Sequence, residues 1–189
     1  SLLDNSDGNG SSNENGSPKE TTSHIKKLNS SLSPRFSLVA ESYRNLQTSI
    51  LFSQTEEPPK TVLFASGSPG EGKTTTTINT AVVFAQMEAK VIVIDADLRK
   101  PSCHKRLMLK SGPGLTEFLT GQRSLQEVIK VTLTDNLFVI TGGGIPPNPA
   151  KLVGSRKMYD MIRRLREQFD YIFIDSPPLI AVSDGVRLV

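Results

Sequence analysis

The chain has 189 residues, 37% of them apolar, 22% charged and 6% aromatic, with a formal charge of +3. That length allows one ordinary domain of about 150 residues plus a tail, and so mild a charge gives no argument for nucleic acid. A single cysteine, Cys103, rules out a disulfide framework and a Cys-rich zinc site and fits a reducing compartment.

No run of about 18 apolar residues is present to span a membrane. The chain has neither an initiator methionine nor a signal-peptide pattern, so it is expected to begin inside a longer protein. Residues 1–23 carry four acids (Asp4, Asp7, Glu14, Glu20) against Lys19, a net charge of −3 that leaves +6 on the rest. Leu2 and Leu3 are the only sizeable apolar residues of this Ser-, Asn- and Gly-rich stretch, too few to offset its ordering entropy. It reads as a disordered linker that Pro34 closes, with the folded part starting near Ser37.

From Leu38 to Phe52, Val39, Tyr43, Leu46 and Ile50 recur at helical spacing, predicting an amphipathic helix. Lys60–Ser66 is β-rich and precedes a Gly-rich turn, and a helix is expected over Thr74–Ala89. Lys90–Ile94 is continuously apolar, the mark of a strand inside a parallel sheet covered on both faces. Short helices are expected over Pro101–Leu109 and Leu115–Lys130, the second interrupted at Gly121. Strands follow at Asn136–Thr141 and Tyr171–Ile174, with a helix between them over Ser155–Gln168 whose Met158, Met161, Ile162 and Leu165 share one face. Val186–Val189 is expected to begin a fifth strand. Strands alternating with helices mean βαβ units and an open, doubly wound, mostly parallel α/β sheet with helices on both faces.

Gly67-Ser68-Pro69-Gly70-Glu71-Gly72-Lys73-Thr74, followed by Thr75, fits G-x-x-x-x-G-K-[ST] at every fixed position and lies between a strand and a helix. Glycines let successive N–H groups converge on phosphate oxygens, and the helix start adds its positive dipole end. Lys73 is expected to reach the β- and γ-phosphate oxygens of ATP, and the Thr74 hydroxyl to ligate Mg²⁺. This is a P-loop, and the fold is that of a P-loop NTPase.

Three acids end strands where ligands of open α/β sheets collect. Asp175 after Tyr-Ile-Phe-Ile has the Walker B pattern and is expected in the Mg²⁺ shell. Asp95 and Asp97 are two apart, so on an extended strand their side chains leave from one face. One can help hold the metal's shell while the other orients or deprotonates a nucleophile. The bland alternative is a capped loop in which both bind backbone N–H groups before Arg99.

These pieces together resemble a family. G-S-P-G-E-G-K-T-T, V-I-V-I-D-A-D-L-R-K-P and Y-I-F-I-D-S-P-P are similar to the motifs of the bacterial tyrosine kinases, the cytoplasmic modules that accompany polysaccharide co-polymerases in capsule and exopolysaccharide export. The G-x-x-P-P-N-P segment at Gly143–Pro149 and the stretch from Gly114 to Ile129 resemble the same family. The likeness covers about Ser37 to Val189, which divides the chain into a linker, 1–36, and a P-loop kinase domain, 37–189. It implies phosphoryl transfer from ATP to a protein tyrosine, on the chain itself or a partner, at the cytoplasmic face of the bacterial inner membrane. Asp95 would activate the acceptor hydroxyl and Asp97 and Asp175 would act on the metal.

Glu41-Ser42-Tyr43-Arg44 resembles the start of the family's E-x-x-R-x-x-R helix, which supports ring-like self-association, although Gln47 replaces the last arginine. The bland alternative is an i,i+3 surface ion pair. The family's C-terminal tyrosine cluster is absent, and the three tyrosines are Tyr43, Tyr159 and Tyr171. Tyr43 and Tyr171 are expected in the core. The chain is also expected to stop before the strands that complete the family's sheet.

Two other functions fit the same fold. Partitioning and division-site ATPases carry a second lysine early in the loop, where this chain has Ser68, with Pro69 in place of a glycine. A non-catalytic, nucleotide-sensing partner of a co-polymerase is the other. Among weaker features, Cys103 is expected to be an inert thiol. His104, Lys105 and Arg106 either face phosphates or an acidic partner or form a solvated helix face. Arg163, Arg164 and Arg166 face either anionic lipid headgroups or solvent, and Lys151 has no assigned role.

Overall fold

Alternation inside the apolar strands decides which way each side of the sheet is covered. The computed structural model describes residues 34–178. By its internal contacts the chain divides into Ser1–Ala40, of which the opening turns of one helix are described, and Glu41–Val189, which holds the sheet. The expected linker up to residue 33 and the expected strand over 186–189 lie outside the described residues.

The described elements are α1 (Pro34–Leu51), β1 (Thr61–Phe64), α2 (Lys73–Ala85), β2 (Val91–Asp95), α3 (Cys103–Arg106), α4 (Leu115–Leu119), α5 (Leu125–Val128), β3 (Ile129–Val131), β4 (Leu137–Ile140), α6 (Pro149–Val153), α7 (Arg156–Arg166) and β5 (Tyr171–Asp175). The sheet runs β1-β5-β2-β4-β3, parallel except for β3, which pairs antiparallel with β4 at the edge.

Val91, Val93, Leu137, Val139 and Phe173 pack on one face against Ile78, Ala81, Phe84 and Ala85 of α2, with Ile50 and Leu51 of α1 at the margin. Ile92, Ile94, Ile140, Ile172 and Ile174 point the other way, onto α4, α5, α6 and α7. In α7 the buried residues are Met158, Met161 and Leu165, with Ile162 partly buried beside them, the face expected from the spacing. The expected doubly wound, mostly parallel sheet is therefore the observed one, and both faces are covered as an unbroken Val/Ile strand requires.

α2 forms against local propensity. Its first turn is Lys-Thr-Thr-Thr, and the Thr77 and Thr80 hydroxyls bond back to the Lys73 and Thr76 carbonyls at 3.0 and 2.8 Å. Burial of Phe84 and its neighbours against the sheet holds it, in a T-shaped contact with Phe173 at 5.1 Å between ring centres.

Several boundaries differ from expectation. α2 stops at Ala85 rather than Ala89, because the chain turns through Glu88 in the left-handed region. The helix expected over Leu115–Lys130 is two short helices and a strand. Gly121 at φ +84° ends the first, Ser124 restarts the second with its N–H donating to Glu127, and Ile129–Val131 then joins β4. α6, opened by Pro149 at its first position, was not expected. Gln47 is buried and donates to the Val83 carbonyl at 2.9 Å, so it ties α1 to α2.

Candidate active site

Register places the acids. Phe64 at the end of β1 lies opposite Asp175, and Asp95 lies opposite Asp175 on the neighbouring strand, so the loop after β1 and both carboxylates meet at one end of the sheet. Ala96 N–H donates to the Asp175 carbonyl at 2.9 Å and continues the ladder to that point.

The P-loop turns through Gly70 at φ +86° and Gly72 at φ +87°, a region that disfavours side chains, and Gly72 caps α2. Nothing lies within 4 Å of where a Cβ would stand on either glycine. At the loop entry, Glu71 accepts the Gly67 N–H at 3.0 Å and the Ser68 carbonyl accepts the Ser66 hydroxyl at 3.2 Å.

Lys73 and Thr74 both point at Asp175. Lys73 Nζ forms a buried ion pair with Asp175 Oδ1, and Thr74 Oγ1 donates to Asp175 Oδ2 at 2.6 Å. Thr74 Oγ1 also lies 3.1 Å from Ser102 Oγ. Asp95 is fully buried. Its Oδ2 accepts the Ser102 and Cys103 N–H groups, each at 2.9 Å, and its Oδ1 has no hydrogen-bond partner. Burial pushes the Asp95 carboxyl up to about 6, the Asp175 and Asp97 charges add to the rise, and the two N–H donors oppose it. Burial and the charges of Asp95 and Asp175 raise the Cys103 thiol, and the Lys73 ammonium opposes the rise.

Asp97 is placed differently from expectation. β2 ends at Asp95, so the two acids do not leave from one strand face. Asp97 is half-buried on the connecting loop, where its Oδ1 accepts the Lys100 N–H at 3.2 Å. It still lines a cleft of about 330 Å³ at the P-loop, together with the loop from Pro69 to Thr75 and the cations Lys100 and Arg106. Gly67 and Ser68 are not among the lining residues.

Ser102, whose backbone and hydroxyl touch Asp95 and Thr74, was not expected in the site, and Cys103 was expected only to be an inert thiol. Both lie in the stretch from Pro101 on that was expected only as a short helix, so only the fold brings them in. Arg106 lines the cleft, favouring the phosphate-facing alternative over a purely solvated face for that residue. Glu41 and Arg44 form an i,i+3 pair at 3.3 Å with side chains 59% and 60% exposed. Tyr171 packs its ring on Phe84 with 4.6 Å between centres, Tyr43 is half-buried, and Tyr159 is exposed with the Arg156 guanidinium 5.1 Å from its ring.

Lys151 and Arg99 line another cleft with the Pro-Asn-Pro turn. Arg163 and Arg164 are exposed on α7 beside Asp160 and Glu167. No helix among the described residues is long and apolar enough to cross a membrane.

Residues 60–188 match the AAA domain family. The tyrosine-protein kinase YwqD of Bacillus subtilis is 42% identical over 149 residues, which cover 79% of this chain and 63% of that protein. The kinase domain of the Escherichia coli tyrosine kinase ETK superposes with a TM-score of 0.76 at 34% identity, covering 79% of this chain and 58% of that one. The septum site-determining protein MinD of Pyrococcus horikoshii, solved with Mg-ADP, is more distant, with a TM-score of 0.58, 28% identity, and coverage of 68% of this chain and 54% of that one. The chain thus spans less than two thirds of the length of these relatives. With a complete P-loop, the Asp95–Asp175 pair and these likenesses, the chain belongs to the P-loop AAA domain family and, within it, to the bacterial tyrosine-protein kinases.

Proposed function

We propose that the chain is the nucleotide-binding and catalytic part of a protein-tyrosine kinase that transfers the γ-phosphoryl group of ATP to a tyrosine oxygen. The observation that carries this reading is the convergence of Lys73 and Thr74 on Asp175, with Asp95 at the same level of the next strand. The kinase branch is favoured over the division-site ATPases by Ser68, where those enzymes carry a lysine, and by the weaker structural likeness to MinD.

The residues fit a hard divalent cation. Thr74, Asp97 and Asp175 offer oxygen donors beside a loop with open space at Gly70 and Gly72. Bound Mg²⁺ would neutralise charge on the β- and γ-phosphate oxygens. Loop N–H groups and Lys73 hold the phosphates, for which Lys73 gives up Asp175. Asp95 takes the acceptor's proton. A carboxyl lifted to about 6 is a better proton acceptor at neutral pH than an ordinary one and is still ionised there. Lys100 and Arg106, which line the same cleft, stabilise negative charge there.

The acceptor tyrosine is read as one supplied by a partner protein, since Tyr171 packs on Phe84, Tyr43 is half-buried, and the exposed Tyr159 has no feature that marks it as an acceptor. We read the polar stretch before α1, whose first 23 residues carry a net charge of −3, as a linker toward a membrane-bound co-polymerase or activator on the cytoplasmic face of the inner membrane. The Glu41–Arg44 surface of α1 is read as a contact between copies of the chain.

The test gives the natural polypeptide ATP·Mg²⁺ and maps phosphate by mass spectrometry, alongside Lys73→Met and Asp95→Ala. Both substitutions are expected to lower phosphotyrosine about 100-fold or more. Phosphotyrosine that survives both overturns the reading. ATP hydrolysis without phosphotyrosine points to the ATPase alternative.

A further inference from the structure

Cys103 is the chain's sole cysteine, and its side chain is fully buried at the start of α3. Its Sγ lies 3.7 Å from Asp175 Oδ2. One donor atom each from Asp95, Cys103 and Asp175 lie within 4.8 Å of one another, all three side chains out of contact with solvent.

The phosphotransfer reading uses both carboxylates but has no role for the thiol. A second observation comes from Asp95 Oδ1, a buried carboxylate oxygen without a hydrogen-bond partner. An orphaned oxygen of this kind is costly unless something binds it. In a tetrahedral zinc site, metal–sulfur and metal–oxygen bonds of about 2.3 and 2.1 Å place sulfur and oxygen about 3.6 Å apart. The Cys103–Asp175 separation already has that value to within 0.1–0.2 Å, about the tolerance used for such sites. A hard cation such as Mg²⁺ gains little from a thiolate, whereas a borderline-soft one does.

We propose that Asp95, Cys103 and Asp175 form a binding site for a thiophilic divalent cation of the zinc class. Its donors differ from the hard oxygen set of Thr74, Asp97 and Asp175, and because Asp175 is shared the two sites exclude each other. On binding, the thiol proton leaves to solvent, one sulfur–metal bond forms, and Asp175 exchanges the Lys73 ammonium for the cation. The cation then holds both carboxylates, so zinc-class ions block the site. The binding step does not rest on the kinase reading, because no nucleotide takes part in it.

The probe is Cd²⁺ alone, titrated at neutral pH into metal-stripped protein and followed by its ultraviolet thiolate charge-transfer band. With one thiol in the chain, the band reports Cys103 and nothing else. The expected result is a saturable 1:1 band with a micromolar midpoint. Cys103→Ala abolishes it, Asp95→Asn weakens the midpoint about tenfold or more, and Lys73→Met tightens it by freeing Asp175.

Cadmium X-ray absorption on the wild-type protein is an independent check that needs no variant to fold. One sulfur neighbour with an oxygen shell is expected. A wild-type protein without a saturable band, a midpoint unmoved by Asp95→Asn, or a shell of two or more sulfurs overturns the proposal. Failure here with phosphotyrosine still lost in Lys73→Met leaves the kinase reading standing.

Discussion

The loop Gly67–Gly72 and the turn Gly142–Gly144 both follow parallel strands at the same end of the sheet, and both present backbone N–H groups to a carboxylate. In the turn the anion is built in. Glu117 accepts the Gly114 N–H at 2.7 Å and the Gly144 N–H at 3.0 Å, and Leu115 and Thr116 donate to the Thr141 and Gly142 carbonyls. A Cβ on Gly114 would fall on the Thr141 carbonyl and 2.6 Å from the Gly143 nitrogen. In the P-loop, Glu71 is exposed and takes one N–H, and the space beside Gly70 and Gly72 is open. Similar composition therefore serves a closed clasp in one place and a cradle for an outside anion in the other.

The sharpest way to break this contrast is a matched pair of alanines. Gly114→Ala has no backbone penalty but no room, and is expected to cost about 3 kcal/mol or more in urea unfolding with little specific effect on nucleotide binding in the molecules that fold. Gly70→Ala has room but an unfavourable φ, and is expected to cost about 1–2 kcal/mol while weakening nucleotide binding about tenfold or more. Equal losses of stability would erase the distinction.

Asp95→Asn tests the cost carried by the open site. Because the folded-state carboxyl is raised from 3.8 to about 6, the unfolded chain gives up its proton first as pH rises. The wild type then loses stability between about pH 4 and 6 and does not regain it above that window. The variant lacks this loss, since its amide oxygen keeps both backbone acceptor bonds. It is expected to be more stable by roughly 3 kcal/mol at neutral pH, an advantage that vanishes below about pH 4. Urea unfolding of both proteins across pH measures it.

Glu117→Gln probes the clasp in the same way, with the opposite sign. Losing the charge that two N–H groups share is expected to cost about 1–2 kcal/mol, read by thermal unfolding. The smallest effect belongs to Arg44→Ala, where an exposed i,i+3 pair is worth at most about 0.5 kcal/mol of stability. A fall in assembly size by sedimentation with that stability unchanged would support self-association through α1.

The P-loop, Asp95 and Asp175 were legible because each is a fixed spacing at the end of an apolar strand, and β1, β2, β4 and β5 were legible for the same reason. β3 was not, because Ile129-Lys130-Val131 follows a helical stretch without a turn signal and becomes a strand only by pairing with β4. Asp97 was misjudged by one step: the i,i+2 rule holds on a strand, and the strand ends at Asp95. Gln47 looked like a lost arginine and is a buried tie between α1 and α2. Ser102 and Cys103 carry no pattern of their own, and their place against Asp95 depends on how the β2–α3 connection folds back.

Lys130 has a consequence for solubility as well as for shape. It sits at the centre of the three-residue edge strand, and its half-buried ammonium is turned to the Thr141 hydroxyl at 2.7 Å, with burial lowering its pKa. A foreign strand docking along β3 would have to cover a charge that already has its one good partner. The sheet is thereby guarded on this side against edge-to-edge growth, by a short strand with a cation in its middle.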